Sequence, residues 1–250
     1  STNEEKSAYT LEISTAAQLA TFRDAVNSGM TYDGLTVKLT ADIDLNGYCT
    51  GTRGWTPIGV YKNAAYGFTS ATSFNGVFDG NGKTVSNLLI TTNDTEQMYG
   101  ALFGNINHAT IKNLTVNGNV YGTDIAGVIG AFGENCTIEN VTSYVNLTGK
   151  KGENAEGLVR GKAAGIALCS KGAGSKFENC YNYGNIVAVD GKGNPAGGII
   201  AYVGDNNTIT VSNCENHGTI TAAQTTDVGG IVGASHSKIT YTKCKNTGEI

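Results

Sequence analysis

The chain contains 250 residues, which suffices for one or two ordinary domains or for one elongated repeat domain. Its 35 glycines, 2 prolines and 40% hydrophobic residues exclude a disordered chain and disfavour a helical fold, because they indicate many tight backbone corners around an apolar core. The net charge of −4 is spread without blocks, which removes the electrostatic basis for nucleic-acid binding. A membrane-spanning helix needs about 18 consecutive apolar residues, and the sequence contains no apolar run of that length.

The first predicted element is a helix near the start of the chain. We expect it to begin at Ser14, a residue type that caps helices, and to stop at Asn27-Ser28-Gly29. Within residues 1–45, which also hold the first strands, this helix would lie over the open first coil of a repeat fold and shield its unpaired edge. The residues at helical spacing are Ala16, Leu19, Ala20, Phe22, Arg23 and Val26.

A short acidic segment follows the helix. Asp42, Asp44 and Asn46 have the spacing of the first ligands of a calcium-binding loop. The twelfth position of such a loop needs a bidentate glutamate, and here it is Arg53. Ile43 alternates with the carboxylates as a strand residue would. We therefore predict a strand with outward carboxylates rather than a calcium site, and we predict no metal or other cofactor.

Residues 46–74 form an aromatic-rich insertion. A loop of this kind on a rigid scaffold can stack on sugar rings or anchor a protein partner. The alternative is that its aromatic residues pack over the helix-capped end of the fold, which we favour for Trp55 and Phe74. The candidate ligand-binding residues of the insertion are Tyr48, Trp55, Tyr61 and Tyr66.

Two short motifs recur through residues 75–250 and predict the fold. One is an apolar strand of the type Gly-Ile-Val-Gly; the other is Ile/Val-x-Asn-apolar, which recurs at intervals of roughly one solenoid coil. Short alternating strands at this spacing predict one coil per copy, with three strands in each coil. The chain is therefore predicted to be all-β, a single-stranded, right-handed parallel β-helix with an N-terminal capping helix. The Asn position of the second motif is occupied by Asn87, Asn113, Asn140, Asn179, Asn213 and Lys243.

Stacking of coils assigns roles to the residues that follow this Asn position. The residue directly after it is always apolar or cysteine, so we expect an inward ladder of buried side chains. Three residues after it stand Asn182, Asn216 and Asn246, which we predict to be structural. Their amides can hydrogen-bond along the axis, and asparagine and the following glycines tolerate positive φ at corners. The inward ladder comprises Leu88, Leu114, Val141, Cys180, Cys214 and Cys244, and the glycines are Gly184, Gly218 and Gly248.

The sequence offers little support for catalytic or metal chemistry. Glycoside hydrolysis needs two carboxylates roughly 5 to 10 Å apart, whereas Asp124 and Asp227 occupy equivalent places three coils, or about 14 Å, apart. The 6 cysteines show no Cys-x-x-Cys spacing and no histidines grouped with them, which argues against zinc. Cysteines one coil apart would point in parallel, a poor geometry for disulfides, so we expect free thiols.

An outer column of rings is the last candidate site. Tyr144, Tyr183 and His217 each stand four residues past an Asn position, so they should line one outer face at single-coil spacing. A ribbon of rings suits an extended ligand, although aromatic ladders also stabilise flat sheets on their own. A second insertion, residues 150–162, is charged and is interpreted as a solvated bulge.

Four segments follow one another in a distinctive order before the Gly-Ile-Val-Gly copies: residues 11–19, 41–45, 55–59 and 74–85. The series covers nearly the whole chain and resembles the GLUG-repeat β-helix modules of bacterial cell-surface proteins, which also occur beside metallopeptidases of the immunoglobulin A1 protease type. The resemblance implies a secreted or surface-attached bacterial module within a larger multidomain chain. It transfers no catalytic residue, because the zinc motif His-Glu-x-x-His is absent from this sequence.

Function is thus left to the insertions and the outer faces. The first hypothesis is a non-catalytic module of adhesin type that binds a glycan or a host surface protein, without membrane insertion. The alternatives are a β-helix polysaccharide lyase or glycoside hydrolase, and a structural spacer without a ligand. Because the chain stops at Ile250 inside a coil, we expect it to be part of a longer protein. The predicted ligand-binding residues are Tyr48, Trp55, Tyr61, Tyr66, Tyr144 and Tyr183.

Overall fold

The structure is a computed structural model that describes residues 9–61, 71–91, 99–153, 159–170, 172–189, 193–205, 207–222 and 227–250. These residues form one helix, α1 (Ala16–Asn27), and a long series of strands. The strands are β1 (Thr10–Ile13), β2 (Thr36–Leu39), β3 (Ile43–Asp44), β4 (Val77–Ile90), β5 (Phe103–Ile106), β6 (Thr110–Gly122), β7 (Ile125–Ala126), β8 (Ile129–Phe132), β9 (Thr137–Gly149), β10 (Gly152–Glu153), β11 (Val159–Arg160), β12 (Ala163–Ala164), β13 (Ala167–Ser170), β14 (Ser175–Asn182), β15 (Ile186–Val187), β16 (Ala196–Gly197), β17 (Ile200–Val203), β18 (Ile209–Ser212), β19 (Glu215–Asn216), β20 (Ile220–Thr221), β21 (Val228–Gly229), β22 (Val232–Ser235), β23 (Ile239–Thr242) and β24 (Lys245–Asn246).

The strands stack as a parallel solenoid. The main sheet has the order β1-β2-β4-β6-β9-β14-β18-β23, and its neighbouring strands pair in parallel. Two further sheets, β5-β8-β13-β17-β22 and β7-β12-β16-β21, follow the same coil order. The prediction of an all-β parallel solenoid is therefore confirmed. Within the predicted bulge at 150–162, β10 and β11 form an antiparallel pair.

One coil can be followed through β6, β7 and β8. The long β6 turns at Gly118, whose φ of 148° favours glycine, and β7 and β8 then lead back to the start of β9. The side chains that point inward from these strands are fully buried, as Val116, Ile125 and Ile129 show with 0% exposure. Each coil thus closes around a single apolar core, because successive side chains of a strand point to opposite faces.

The predicted repeat spacing is confirmed for every coil but the first. Inward residues pair in register from Ile111 through Ile138, Phe177 and Val211 to Tyr241, one coil apart at each step. The residue that pairs with Ile111 in the preceding coil is Phe78.

The assignment of Asn87 as the first copy of the Asn position was therefore wrong. The register shifts between Asp79 and Lys83, and Leu88 pairs with Gly118 instead of Leu114. A β-bulge of this kind adds residues to one strand only. The motif at Asn87 therefore lies at a different corner of its coil from the similar motif at Asn113, although the two sequences look alike. Asn87 instead donates from Nδ2 to Asp44 Oδ1 at 2.8 Å.

The Asn positions of successive coils form a hydrogen-bonded column, which we call the outer amide ladder. Asn179 Nδ2 donates to Asn140 Oδ1 at 3.0 Å, Asn140 Nδ2 donates to Asn113 Oδ1 at 3.1 Å, and Asn113 Nδ2 donates to Asp79 Oδ1 at 3.0 Å. These three asparagines adopt left-handed φ values of 52° to 53°, and Lys243 keeps a φ of 51° in the place of an asparagine. Positive φ was predicted for Asn182 and its equivalents, but the residues that adopt it are the asparagines of the outer amide ladder.

A second column, the inner amide ladder, consists of Asn182, Asn216 and Asn246. Asn182 Nδ2 donates to Asn216 Oδ1 at 2.8 Å, and Asn216 Nδ2 donates to Asn246 Oδ1 at 2.7 Å. Asn182 and Asn216 are 0% exposed, so the predicted structural role and axial hydrogen bonds are confirmed. The glycine beside the ladder is required by space: a Cβ on Gly218 would collide with the carbonyl oxygen of Gly184 one coil away.

The predicted helix is present, and its N-cap is Thr15 instead of Ser14. The Thr15 and Gln18 side chains form a reciprocal capping box. Leu19 and Phe22 face the core, and the Phe22 ring lies 5.9 Å from that of Phe78. The helix therefore packs against the end of the core. It connects β1 to β2, and β1 is the edge strand of the main sheet.

Replacing Asn216 by alanine tests the inner amide ladder. We expect Asn216→Ala to lower the free energy of unfolding by roughly 2 to 3 kcal/mol, since it removes the hydrogen bonds that the Asn216 amide forms with Asn182, Asn246 and the carbonyl oxygen of Gly218. Urea denaturation followed by circular dichroism measures the change. The control is Asn119→Ala, at an exposed asparagine, where we expect a change within about 0.5 kcal/mol. Equal effects of the two substitutions would contradict the assigned role.

Candidate functional site

The aromatic insertion contributes mainly to the wall and core of the solenoid. Ile58 pairs in parallel with Phe103, and Phe74 pairs in parallel with Ile106. Both residues of the insertion therefore belong to the wall of the coil that precedes β5. Trp55 is 0% exposed, and its Nε1 donates to the carbonyl oxygen of Leu102 at 3.2 Å. The prediction of Trp55 as a ligand-binding residue was wrong, because its ring is enclosed by protein. The packing alternative is confirmed for Trp55 and Phe74.

The three tyrosines of the insertion have different surroundings. Tyr61 stacks on the buried Tyr99 with 5.5 Å between ring centroids, so packing occupies one face of its ring. Tyr48 is 40% exposed and keeps an accessible ring. Tyr66 lies outside the described residues. Ligand binding by these tyrosines stays a prediction.

The predicted outer column of rings is confirmed, and we call it the aromatic ridge: Tyr144, Tyr183 and His217. The ring centroids of Tyr144 and Tyr183 are 4.9 Å apart at an interplanar angle of 11°, and those of Tyr183 and His217 are 4.6 Å apart at 6°. The ridge stands on regular scaffold, since the residues just before its rings, Ser143 and Asn182, pair in register. Tyr144 is 48% exposed and Tyr183 is 42% exposed.

Stacking determines what the ridge offers to a ligand. Near-parallel rings at this spacing cover each other's faces, so the middle ring, Tyr183, presents only its edge and its hydroxyl group. His217 is held from two sides, with Nδ1 2.7 Å from Thr247 Oγ1 and Nε2 3.0 Å from Glu215 Oε2. Tyr144 differs from both, because its register partner in the preceding coil is Asn117 and not another ring. One aromatic face therefore remains at this end of the ridge.

Three of the carboxylates considered for catalysis or for calcium have structural partners. Asp42 Oδ1 accepts from the backbone N–H of Thr84 at 2.8 Å. The side-chain amide of Asn87, and secondly a backbone N–H, lower the pKa of Asp44 below its ordinary value. Asp124 is 1% exposed and accepts from the backbone N–H groups of residues 161 and 162 at 3.1 and 3.0 Å. These contacts fix loops and corners.

Sequence reasoning missed a polar cluster between two neighbouring coils. His236 Nδ1 lies 3.5 Å from Asp205 Oδ1 and 3.1 Å from the hydroxyl group of Tyr202, beside an open cavity of about 630 Å³. The side chains of His236 and Asp205 are 61% and 77% exposed, so the cluster stays in contact with water. Only the alignment of equivalent positions in the two coils, which are far apart in sequence, would have brought these residues together.

All 6 cysteines are free thiols, and those of the inward ladder are confirmed as small core residues. Cys180 and Cys214 are 0% exposed, and Cys244 is half-buried in the last coil. Burial, and secondly the hydrogen bond to Cys214, raise the pKa of Cys180 well above its ordinary value. Within the part of the chain that the structure describes, no three His, Cys, Asp or Glu side chains are placed to hold a metal ion.

Comparison with known proteins yields one partial similarity. The chain is 32% identical over 129 residues to a protein named halomucin from Haloquadratum walsbyi (strain DSM 16790 / HBSQ001). The similar region spans 50% of this chain but about 1% of halomucin. No family model and no solved structure matches the chain. The one helix among the described residues is too short and too polar to cross a membrane.

Cysteine accessibility is directly testable. With iodoacetamide at neutral pH, we expect the native protein to react first at Cys49 and Cys244, which are partly exposed, because the reagent cannot reach the buried thiols of the core. Peptide mass spectrometry assigns the modified sites. Protein unfolded in guanidinium should react at all six positions. Rapid native labelling at Cys180 would contradict its placement in the core.

Proposed function

We propose that this chain is a non-catalytic module of a secreted or cell-surface bacterial protein, which presents the aromatic ridge to a glycan. The observation that carries the proposal is the exposure of Tyr144 and Tyr183 on the outer wall of a rigid scaffold. Exposed tyrosines supply large contact areas at a low cost in conformational entropy, and binding surfaces are enriched in them for that reason.

The rigidity of the scaffold supports a presenting role. The outer and inner amide ladders join coil to coil on two sides of the wall, and the core is continuous from the helix to the last coils. A ligand that meets the ridge therefore meets side chains whose positions are already fixed, which reduces the entropic cost of binding.

The structural use of the carboxylates supports a non-catalytic role. Asp42, Asp44 and Asp124 each accept hydrogen bonds from the fold, and the register separates Asp124 from Asp227 by three coils. Two carboxylates on opposite sides of a glycosidic bond would have to be closer. A binding module is therefore favoured over a lyase or a hydrolase.

Two similarities support the proposed location of the module outside the cell. The GLUG-repeat resemblance suggests a surface-attached module of a longer protein, with the right-handed winding that parallel crossovers usually have. The partial similarity to halomucin, whose name designates a mucin, agrees with a position outside the cell. A ligand-free spacer is a further alternative.

Binding to glycans tests the proposal. We expect the protein to bind to an array of mucin and plant-wall glycans, and the double variant Tyr144→Ala/Tyr183→Ala to bind at least about tenfold more weakly, since truncating an aromatic anchor costs roughly 1 to 2 kcal/mol. Titration of the best glycan by calorimetry measures the change. The matched control is Tyr121→Ala, a tyrosine of 37% exposure outside the ridge, which should bind like the unmodified protein.

Several outcomes would count against this function. Undiminished binding by the double variant, with unchanged thermal unfolding, removes the ridge from the site. Binding only to a protein core after the glycans are removed would point to a protein partner, and binding to neither would favour the spacer. New reducing ends or unsaturated products after incubation with the same glycans would make the chain an enzyme.

A further inference from the structure

A cavity of about 330 Å³ opens on the outer wall at the Tyr144 end of the aromatic ridge. We call it the ridge-end cavity. Its wall includes Gly118 and Asn119, which directly follow Asn117, the register partner of Tyr144. The cavity and the uncovered face of Tyr144 therefore belong to adjacent coils of the same outer surface. The lining residues that matter here are Asn46, Gly47, Asn87, Leu89, Gly118 and Asn119.

The lining combines amides with an apolar surface, and none of the described residues in it carries a charged side chain. Asn46 and Asn119 are exposed, and their side-chain amides form no hydrogen bond with the other described residues. Leu89 is 36% exposed and supplies apolar contact beside them. Free amides offer both donors and acceptors, so this surface suits a neutral molecule that carries hydroxyl groups on an apolar frame.

The position of Asn117 favours an accessible face of the Tyr144 ring on the coil that follows the cavity. Asn117 Oδ1 accepts from the backbone N–H of Asn87 at 3.1 Å, which draws its side chain toward the preceding coil and away from Tyr144. The Tyr144 ring is fixed on its other face by Tyr183. A preorganised ring of this kind can pack against the C–H face of a sugar, while the amides bind its hydroxyl groups.

We propose that the ridge-end cavity is a binding site for a neutral sugar ring, with Asn46 and Asn119 as its hydrogen-bonding groups and Leu89 as its apolar contact, and that Tyr144, on the adjacent coil beyond the lining, serves the same ligand as an aromatic platform. The assignment rests on the proposed glycan-binding function and specifies its site and ligand class. The volume lies at the small end of the roughly 300 to 1,000 Å³ that ligand pockets occupy, which fits one or two sugar rings.

The electrostatics of the cavity favour a neutral sugar over an acidic one. Asp44 Oδ1 accepts from Asn87 Nδ2 at 2.8 Å, so a carboxylate stands directly behind one lining residue. Among the described lining residues there is no lysine or arginine in direct contact to balance it. A uronic acid placed there would meet a like charge without a cationic partner, which disfavours its binding.

Titration with defined trisaccharides tests this site. Maltotriose, cellotriose and triacetylchitotriose serve as neutral probes, and trigalacturonate serves as the acidic one. With ¹⁵N-labelled protein, we expect at least one neutral probe to cause saturable shifts of the backbone amide signals of residues 46, 47, 89, 118 and 119. Asn119→Trp, which fills the cavity from an exposed position, should weaken this binding at least tenfold. The matched control Val187→Trp adds the same bulk at another exposed position and should leave it unchanged within twofold.

The outcomes separate this site from the proposed function. If a neutral probe binds equally well to Asn119→Trp but is lost with Tyr144→Ala/Tyr183→Ala, the glycan function stands and the cavity site is overturned. Tighter binding of trigalacturonate than of every neutral probe overturns the ligand class. If no probe and no arrayed glycan binds to the unmodified protein, the site and the function fall together.

Discussion

The structure depends on one constraint, the parallel pairing of each coil with the next. Equivalent residues then lie about 4.8 Å apart along the axis, so every side chain meets its counterparts from the neighbouring coils. Such stacking is favourable when equivalent positions carry similar side chains that can interact with one another. The amide ladders, the cysteine positions and the aromatic ridge all result from this stacking. The register tolerates coils of unequal length because extra residues leave the wall at corners without disturbing the ladders.

The same constraint limits where chemistry can take place. Polar residues that might have suggested catalysis, such as Asn182 and Asp124, are occupied in joining coils and fixing corners. The surface that remains available for binding a ligand is the outer wall. There, equivalent side chains of successive coils form columns. The aromatic ridge is such a column, and its internal stacking makes its end more useful to a ligand than its middle. The exposure of Tyr144 thus arises where the repetition of rings stops.

Much of the fold could be predicted from the sequence, because the repeat period, the inward ladder and the ridge follow directly from residue spacing. The first coil could not, since the irregularity after Asp79 displaces the motif at Asn87 from its apparent register. Trp55 illustrates a second limit: composition marks an aromatic segment, but only the pairing of Ile58 and Phe74 with the next coil reveals which of its residues are wall and core. The ridge-end cavity was beyond prediction because residues from three separate segments meet there.

The two amide ladders also have a polarity. In the outer ladder each amide donates toward the N-terminal coils, and the direction is fixed because the series ends on the carboxylate of Asp79, which can only accept. In the inner ladder each amide donates toward the C-terminal coils, and the bonds from Nδ2 to the carbonyl oxygens of Gly184 and Gly218 fix that direction. The two rows of dipoles therefore oppose each other. Each row gains from the mutual polarisation of its hydrogen bonds, and the two rows occupy successive parts of the solenoid, because both start in the coil that holds Asn179 and Asn182 and run from it in opposite directions.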